Sequence, residues 1–103
     1  FYNCIIHGSQ EIEFDMEEIS GGTIHFSMSN CVLKTSNAIT NSNFVNIVLN
    51  PTATLFEDKD LQDYHLADNS PAINAGDNTI NVAFDHDGEP RIDGSPDIGA
   101  YEK

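Results

Sequence analysis

Short apolar runs, rich in β-branched residues, alternate with Asn, Ser, Gly and Asp through the first half of the chain. Runs of this length bounded by turn-forming residues are typical of β-strands. Before residue 57, no window places apolar residues three and four apart over ten positions, as an amphipathic helix requires. The pattern therefore predicts an all-β chain. The predicted strands lie at 3–7, 11–14, 22–28, 30–34 and 44–49.

A repeat is hidden in this half, because Asn3-Cys4-Ile5-Ile6 returns as Asn30-Cys31-Val32-Leu33, 27 positions later. Periods of 20 to 50 residues indicate solenoids or arrays. In stacked parallel strands, Asn3 would lie over Asn30 in an amide ladder, with Cys4 beside Cys31. The two cysteines could then form a disulfide. Unbridged stacking is favoured, because parallel neighbours in register point their Cβ atoms alongside one another and not toward each other.

The pattern changes at Pro51, which cannot donate to a sheet ladder. We therefore divide the chain into residues 1–50 and a capping segment, residues 51–103. Within that segment, Ser70 to Gly76 suits a single helical turn. Ser70 fits the N-cap, Pro71 the first helical position and Gly76 the left-handed residue that ends the turn. Ile73 would be its apolar anchor.

Three ordered blocks carry a resemblance: Ser70-Pro71-Ala72-Ile73-Asn74-Ala75-Gly76-Asp77, then Asp85-His86-Asp87-Gly88-Glu89-Pro90-Arg91, then Asp97-Ile98-Gly99-Ala100-Tyr101-Glu102. They resemble the C-terminal region of bacterial surface proteins built as right-handed parallel β-helices of the pectin-lyase-like kind. The resemblance implies that the chain forms the last rungs of such a β-helix, followed by an irregular C-terminal cap that closes its open end. It also implies a location outside the cell or on its surface, upstream rungs as partners, and glycan-related work for the whole molecule.

The charge balance narrows the partners, since 17 acidic and 4 basic side chains give a formal net charge of −13. Such a field repels nucleic acid and disfavours anionic polysaccharide unless calcium bridges it. The chain contains no apolar stretch long enough to span a bilayer. An open strand edge at residues 1–7 is a possible self-association contact.

Asp85-His86-Asp87-Gly88 is the most suggestive candidate for a metal site, because alternate carboxylates before Gly begin a calcium loop. Pro96 stands where that loop needs a bidentate Glu, so only an irregular site using Asp85, Asp87 or Asp93 remains. The alternative, which we favour, is a turn capped by its own Asp side chains, with one carboxylate paired to Arg91. We predict structural roles in the cap for Arg91, Asp97 and Tyr101.

No set of residues indicates catalysis. So many acidic residues guarantee carboxylate pairs by chance, the four His residues lack metal-ligand spacing, and Lys34 is the only basic residue of the predicted coils. The sequence therefore favours a non-enzymatic structural module that terminates an extracellular β-helix protein. Two alternatives stay open: part of a polysaccharide lyase or glycoside hydrolase, or a calcium-stabilised adhesin module.

Overall fold

The computed structural model describes residues 1–80, 82–91 and 94–103, most of which adopt irregular conformations between short strands. None of these segments forms a helix long and apolar enough to cross a membrane. The regular elements are β1 (Ile5–Ile6), β2 (Met28–Ser29), β3 (Val32–Leu33), β4 (Phe44–Val45), β5 (Val48–Leu49), β6 (Phe56–Asp58), a 3₁₀ turn (Lys59–Leu61) and β7 (Asp63–Leu66).

A three-stranded parallel sheet lies at the centre of the fold, in the order β1-β3-β5. Ile5 is opposite Val32, so the parallel register at a shift of 27 residues is the one that the repeat predicted. Val32 is in turn opposite Val48. This second step spans only 16 positions and reveals a third copy of the repeat at residues 46–49, which the sequence analysis missed.

The prediction of parallel β-helix rungs is wrong. Among the described residues, β1-β3-β5 and the separate parallel pair β2-β4 form two small sheets that neither close nor wind into a solenoid. Residues 11–14 and 22–27 contain no strand, although strands were predicted there. The unequal intervals of 27 and 16 residues give a physical reason. The strands pair in register across these intervals, but the connections between them differ in length and do not repeat as the coils of a regular solenoid do.

A left-handed asparagine lies two residues before each strand of the parallel sheet, and a further one follows β5. Asn3, Asn30, Asn46 and Asn50 have φ angles of 52°, 52°, 52° and 48°. Asn is one of the few residues that tolerate this region, because its short polar side chain can bond locally. Each one turns the backbone out of the extended conformation and so marks a boundary of a strand.

The two faces of the parallel sheet pack against different parts of the chain. On one face, Val32 is fully buried, with Ile5 and Val48 beside it, under apolar side chains of residues 55–98 such as Ile98. On the other face, Leu33 packs with the cysteines and with aromatic residues of the long connections. The capping segment therefore covers a face of the sheet, and the expectation that it closes an open end is wrong.

The capping segment, residues 51–103, forms the cover of this face of the sheet. An antiparallel hairpin of β6 and β7 begins the cover. Asp58 caps the 3₁₀ turn between the strands by accepting hydrogen bonds from the amides of Asp60 and Leu61. Leu55 and Leu66, at the base of the hairpin, are 5% and 2% exposed. They anchor the hairpin in the core shared with Val32.

Candidate functional site

Arg91 forms a buried ion pair with Glu102. Its Nη1 lies 3.2 Å from Glu102 Oε2, and the two side chains are 8% and 9% exposed. The guanidinium also donates to the main-chain oxygens of Asp97, at 3.0 Å, and Gly99, at 2.8 Å. Arg91 thus ties the last segment of the chain together. Its charge partner is a residue outside the Asp-His-Asp turn, so the predicted pairing with a carboxylate of that turn is wrong.

Asp97 is a carboxylate buried beside this ion pair, with 2% of its surface exposed. Its Oδ1 accepts a hydrogen bond from the Asn74 amide and its Oδ2 accepts one from the Lys103 amide, both at 2.6 Å. The Asp97 amide donates to Glu102 Oε2 at 3.1 Å. This carboxylate joins the 70–77 turn to the chain terminus.

The Asp85 side chain organises the turn that the sequence singled out as a candidate calcium loop. Oδ1 accepts hydrogen bonds from the amides of Asp87 and Glu89, each at 2.8 Å, and Oδ2 accepts one from Glu102. Burial alone would raise the pKa of Asp85, but these three amides and nearby Arg91 outweigh it and lower the pKa. The carboxylate therefore stays ionised while it caps its own loop.

The metal hypothesis gains no positive support from this geometry. Asp85 accepts from three amides and Asp87 pairs with His65, while Asp93, the third candidate, lies outside the described residues. No group of three or more His, Cys, Asp or Glu side chains within the described ranges could hold a metal ion.

His65 links β7 to this same turn. Its Nε2 lies 2.7 Å from Asp87 Oδ2, its Nδ1 lies 2.5 Å from Asp63 Oδ1, and its ring stacks 4.2 Å from that of Tyr101. Carboxylate oxygens only accept, so bonding to both requires the doubly protonated imidazolium. The hydrogen bonds to Asp87, which has the larger effect, and to Asp63 raise the pKa of His65. The His86 ring approaches Tyr101 from another side, at 5.4 Å.

The repeated asparagines bind the cover. Asn3 Oδ1 accepts from the Asp77 amide at 2.6 Å and Asn3 Nδ2 donates to the Asp77 carbonyl at 3.2 Å. Asn30 Nδ2 donates to the Ala75 carbonyl at 2.9 Å. The predicted amide ladder between the two side chains is therefore wrong, because both are used to hold the 70–77 turn over the sheet.

That turn differs in detail from the predicted helical turn. The buried Ser70 hydroxyl accepts from the Ala72 amide at 3.4 Å, and Pro71 follows at the first position. The left-handed residue is Asn74, with φ 55°, and not Gly76. Gly76 is needed for close approach, since a Cβ there would lie 2.6 Å from the Pro96 oxygen. Ile73 packs on the cluster around Val32.

Both cysteines are unbridged in the structure. The parallel register places Cys4 opposite Cys31, and their thiols donate to the carbonyls of Tyr2 and Ser29. Burial raises the pKa of the Cys31 thiol. A buried protonated thiol is a small apolar group, and the reactive form, the thiolate, is disfavoured.

The basic residue considered for catalysis is also bound to main chain. Lys34 Nζ donates to the Gly8 carbonyl at 2.7 Å. Nearby, Glu13 Oε1 accepts from the Gln10 amide at 2.6 Å, while Glu11 is exposed. These side chains fasten the connection after β1, and the geometry places no acid–base pair around a substrate-sized space here.

An aromatic cleft of about 500 Å³ lies between residues 14–26 and 35–44. Three phenylalanines line it: the Phe44 ring is 6.0 Å from Phe14 and 5.1 Å from Phe26. Asp15 and Glu18 stand at its rim. Sequence reasoning missed this cleft, because its rings come from three separate irregular or two-residue segments. The weak signal was a phenylalanine in each of three apolar runs, at 11–14, 22–28 and 44–49.

No family model matches the chain, and neither a curated protein nor a solved structure does. The resemblance of the C-terminal blocks to β-helix surface proteins thus stays an expectation from the sequence.

Proposed function

We propose that this chain is a non-enzymatic structural module, in which residues 51–103 form a cover that seals one face of a short parallel sheet. The observation that carries the proposal is that the charged side chains of the cover bind other parts of the same chain. Asp85, the candidate calcium ligand, and Arg91 and Asp97, for which the sequence predicts structural roles, each bind main chain or a buried partner. They hold the cover together. Asp85 and Arg91 also line a cavity of about 390 Å³, but the Asp85 carboxylate accepts from three amides and the Arg91 Nη atoms donate to main-chain oxygens.

The apolar contacts of the cover support the same role. Ala72 and Ile98 are fully buried against Val32, and the Ile98 amide donates to the Ala72 carbonyl at 2.9 Å. Fully burying an isoleucine side chain such as that of Ile98 contributes about 1.5–3 kcal/mol to the stability of the fold. The cover and the sheet therefore depend on one core, and a module of this kind keeps an apolar sheet face away from solvent.

A matched pair of substitutions tests the proposal. Ile98 is fully buried and Ile19 is 84% exposed. We expect Ile98→Asp to unfold the chain and to increase binding of a dye specific for apolar surface, because it places an uncompensated charge in the core. Ile19→Asp makes the same chemical change and should leave the thermal unfolding curve nearly unmoved.

A stably folded Ile98→Asp protein would contradict the shared core. The wild-type chain should also release no new reducing ends or unsaturated products from neutral or uronate polysaccharides. Cleavage that co-purifies with the chain and disappears on substitution of one of its acidic residues would overturn the non-enzymatic assignment.

A further inference from the structure

We propose that the aromatic cleft binds a small organic cation, an ammonium group attached to an apolar body. The cleft is separate from the buried ion pair and from the cover, so this activity goes beyond the structural role. Its volume of about 500 Å³ falls in the range of small-molecule sites, about 300–1,000 Å³. Three features of its lining select the class of ligand: charge, hydrogen-bonding character and aromatic surface.

Charge selects a cation. The described lining carries two carboxylates, Asp15 and Glu18, and no Lys, Arg or His side chain. Both acidic residues are exposed at the rim, and the whole chain has a net charge of −13. Such a field attracts cations to the cleft and repels carboxylates, phosphates and sulfates.

The lining contains ionised acceptors, on Asp15 and Glu18, and neutral donors, on Thr35, Asn37 and Asn41. Asn37 Nδ2 already donates to Asp15 Oδ1 at 2.6 Å, and Glu18 Oε1 accepts from the Ile24 amide at 3.0 Å. Ionised carboxylates accept and do not donate. An ammonium group, quaternary like that of choline or not, is attracted by the negative charge of these carboxylates, whereas a neutral saccharide gains no such attraction. The lining therefore fits the ammonium better.

The aromatic rings are the third feature that selects the ligand. Phe14, Phe26 and Phe44 are each only partly buried, and the space they line also contacts Ile24 and Ile39. The negative face of an aromatic ring attracts a cation, most strongly where water is excluded. The apolar body of the ligand would meanwhile cover the exposed ring and aliphatic surface.

A small free cation fits better than a macromolecule. A second copy of the chain would bring a further net charge of −13 and only four basic side chains, so its approach is opposed electrostatically. The cleft is bounded by two segments of the chain, 14–26 and 35–44, and its volume suits one small molecule.

Choline and its neutral isostere 3,3-dimethylbutan-1-ol form the decisive pair of probes, because they differ in charge and hardly in shape. Each is titrated into the full chain, and the Phe ring resonances are followed by NMR. We expect choline to bind about fivefold or more tightly than the alcohol. Maltose serves as the neutral saccharide for comparison.

Asp15→Asn keeps the shape of the rim and removes one charge, so it should bring the preference for choline down to about twofold. Phe26→Leu should weaken choline more than the alcohol, because it removes a ring and keeps apolar volume. Asp60→Asn, an equally conservative change at an exposed acid far from the cleft, is the control. Glu18→Gln replaces Phe26→Leu if that variant unfolds.

Several results would overturn the proposal. They are no saturable shift with choline, equal binding of choline and the alcohol, a preference for maltose over choline, or an Asp60→Asn effect as large as that of Asp15→Asn. Retained choline binding in both cleft variants would also locate the cation elsewhere.

Discussion

Replacing Arg91 with alanine removes the cation that holds the last segment of the chain. The substitution removes two hydrogen bonds to main-chain oxygens and leaves Glu102 without the guanidinium beside it. The side chains of Arg91 and Glu102 are each less than a tenth exposed. Breaking a buried pair by removing one partner costs about 3–5 kcal/mol. The whole stability of a domain is about 5–15 kcal/mol, so Arg91→Ala should remove a large part of it.

Lys103→Ala is the matched control for this substitution. It also deletes one positive charge from the end of the chain, but Lys103 Nζ lies at the surface beside Glu57 and Asp68. Exposed ion pairs contribute little to stability, so the melting temperature of this variant should fall by only a few degrees. Arg91→Ala should lower the melting temperature by roughly 15–30 °C, measured by circular dichroism.

A further variant separates the charge from the fold. Because a buried ion pair can be replaced by apolar residues at little cost, Arg91→Met with Glu102→Leu should recover part of the stability lost in Arg91→Ala. Equal melting temperatures for Arg91→Ala and Lys103→Ala would refute the reasoning, since a buried tether cannot cost as little as a surface one.

Two more predictions concern the attachment of the cover. Asn3→Ala should cost more free energy of unfolding than Asn3→Gly in urea titrations, because both lose about 1–2 kcal/mol of bonding to Asp77, and alanine alone adds left-handed strain. For His65, the folded-state pKa lies above 6.5, so its stabilising contribution is fully present below pH 6.5 and declines as pH rises through the raised value. The melting-temperature difference between wild type and His65→Gln should therefore shrink from about pH 5 to about pH 8, and a constant difference would contradict the ion pairs.

The sequence could predict the parallel register and little of what surrounds it. The Asn-Cys repeat placed Ile5 beside Val32, because equivalent residues of two copies occupy equivalent ladder positions. The third copy at 46–49 lacks cysteine and comes after only 16 residues, so a search for one constant period misses it. A period measured from two copies cannot show that the intervals vary, and the β-helix prediction assumed that they do not.

The sequence could not predict side-chain partners that are distant along the chain, for a different reason. The bonds of Asn3 and Asn30 to the 70–77 turn join residues 74 and 45 positions apart. Nothing local distinguishes an Asn that stacks on its repeat from one that binds a remote carbonyl. The partner of Arg91 was equally hidden, since five acidic residues stand near it in sequence and the structure pairs it with Glu102.

The cover lies on a face of the sheet, so the edge of β1, one of the two edge strands of this sheet, is a place where a further strand could pair. The amides of Val32 and Lys34 donate to the carbonyls of Cys4 and Ile6, so by the alternation of a parallel ladder the polar groups of Ile5 point away from β3. Self-association there, as the sequence suggested, would bring together two chains of net charge −13. Repulsion of that size opposes pairing between copies, and the same field favours a neutral or basic strand at this edge.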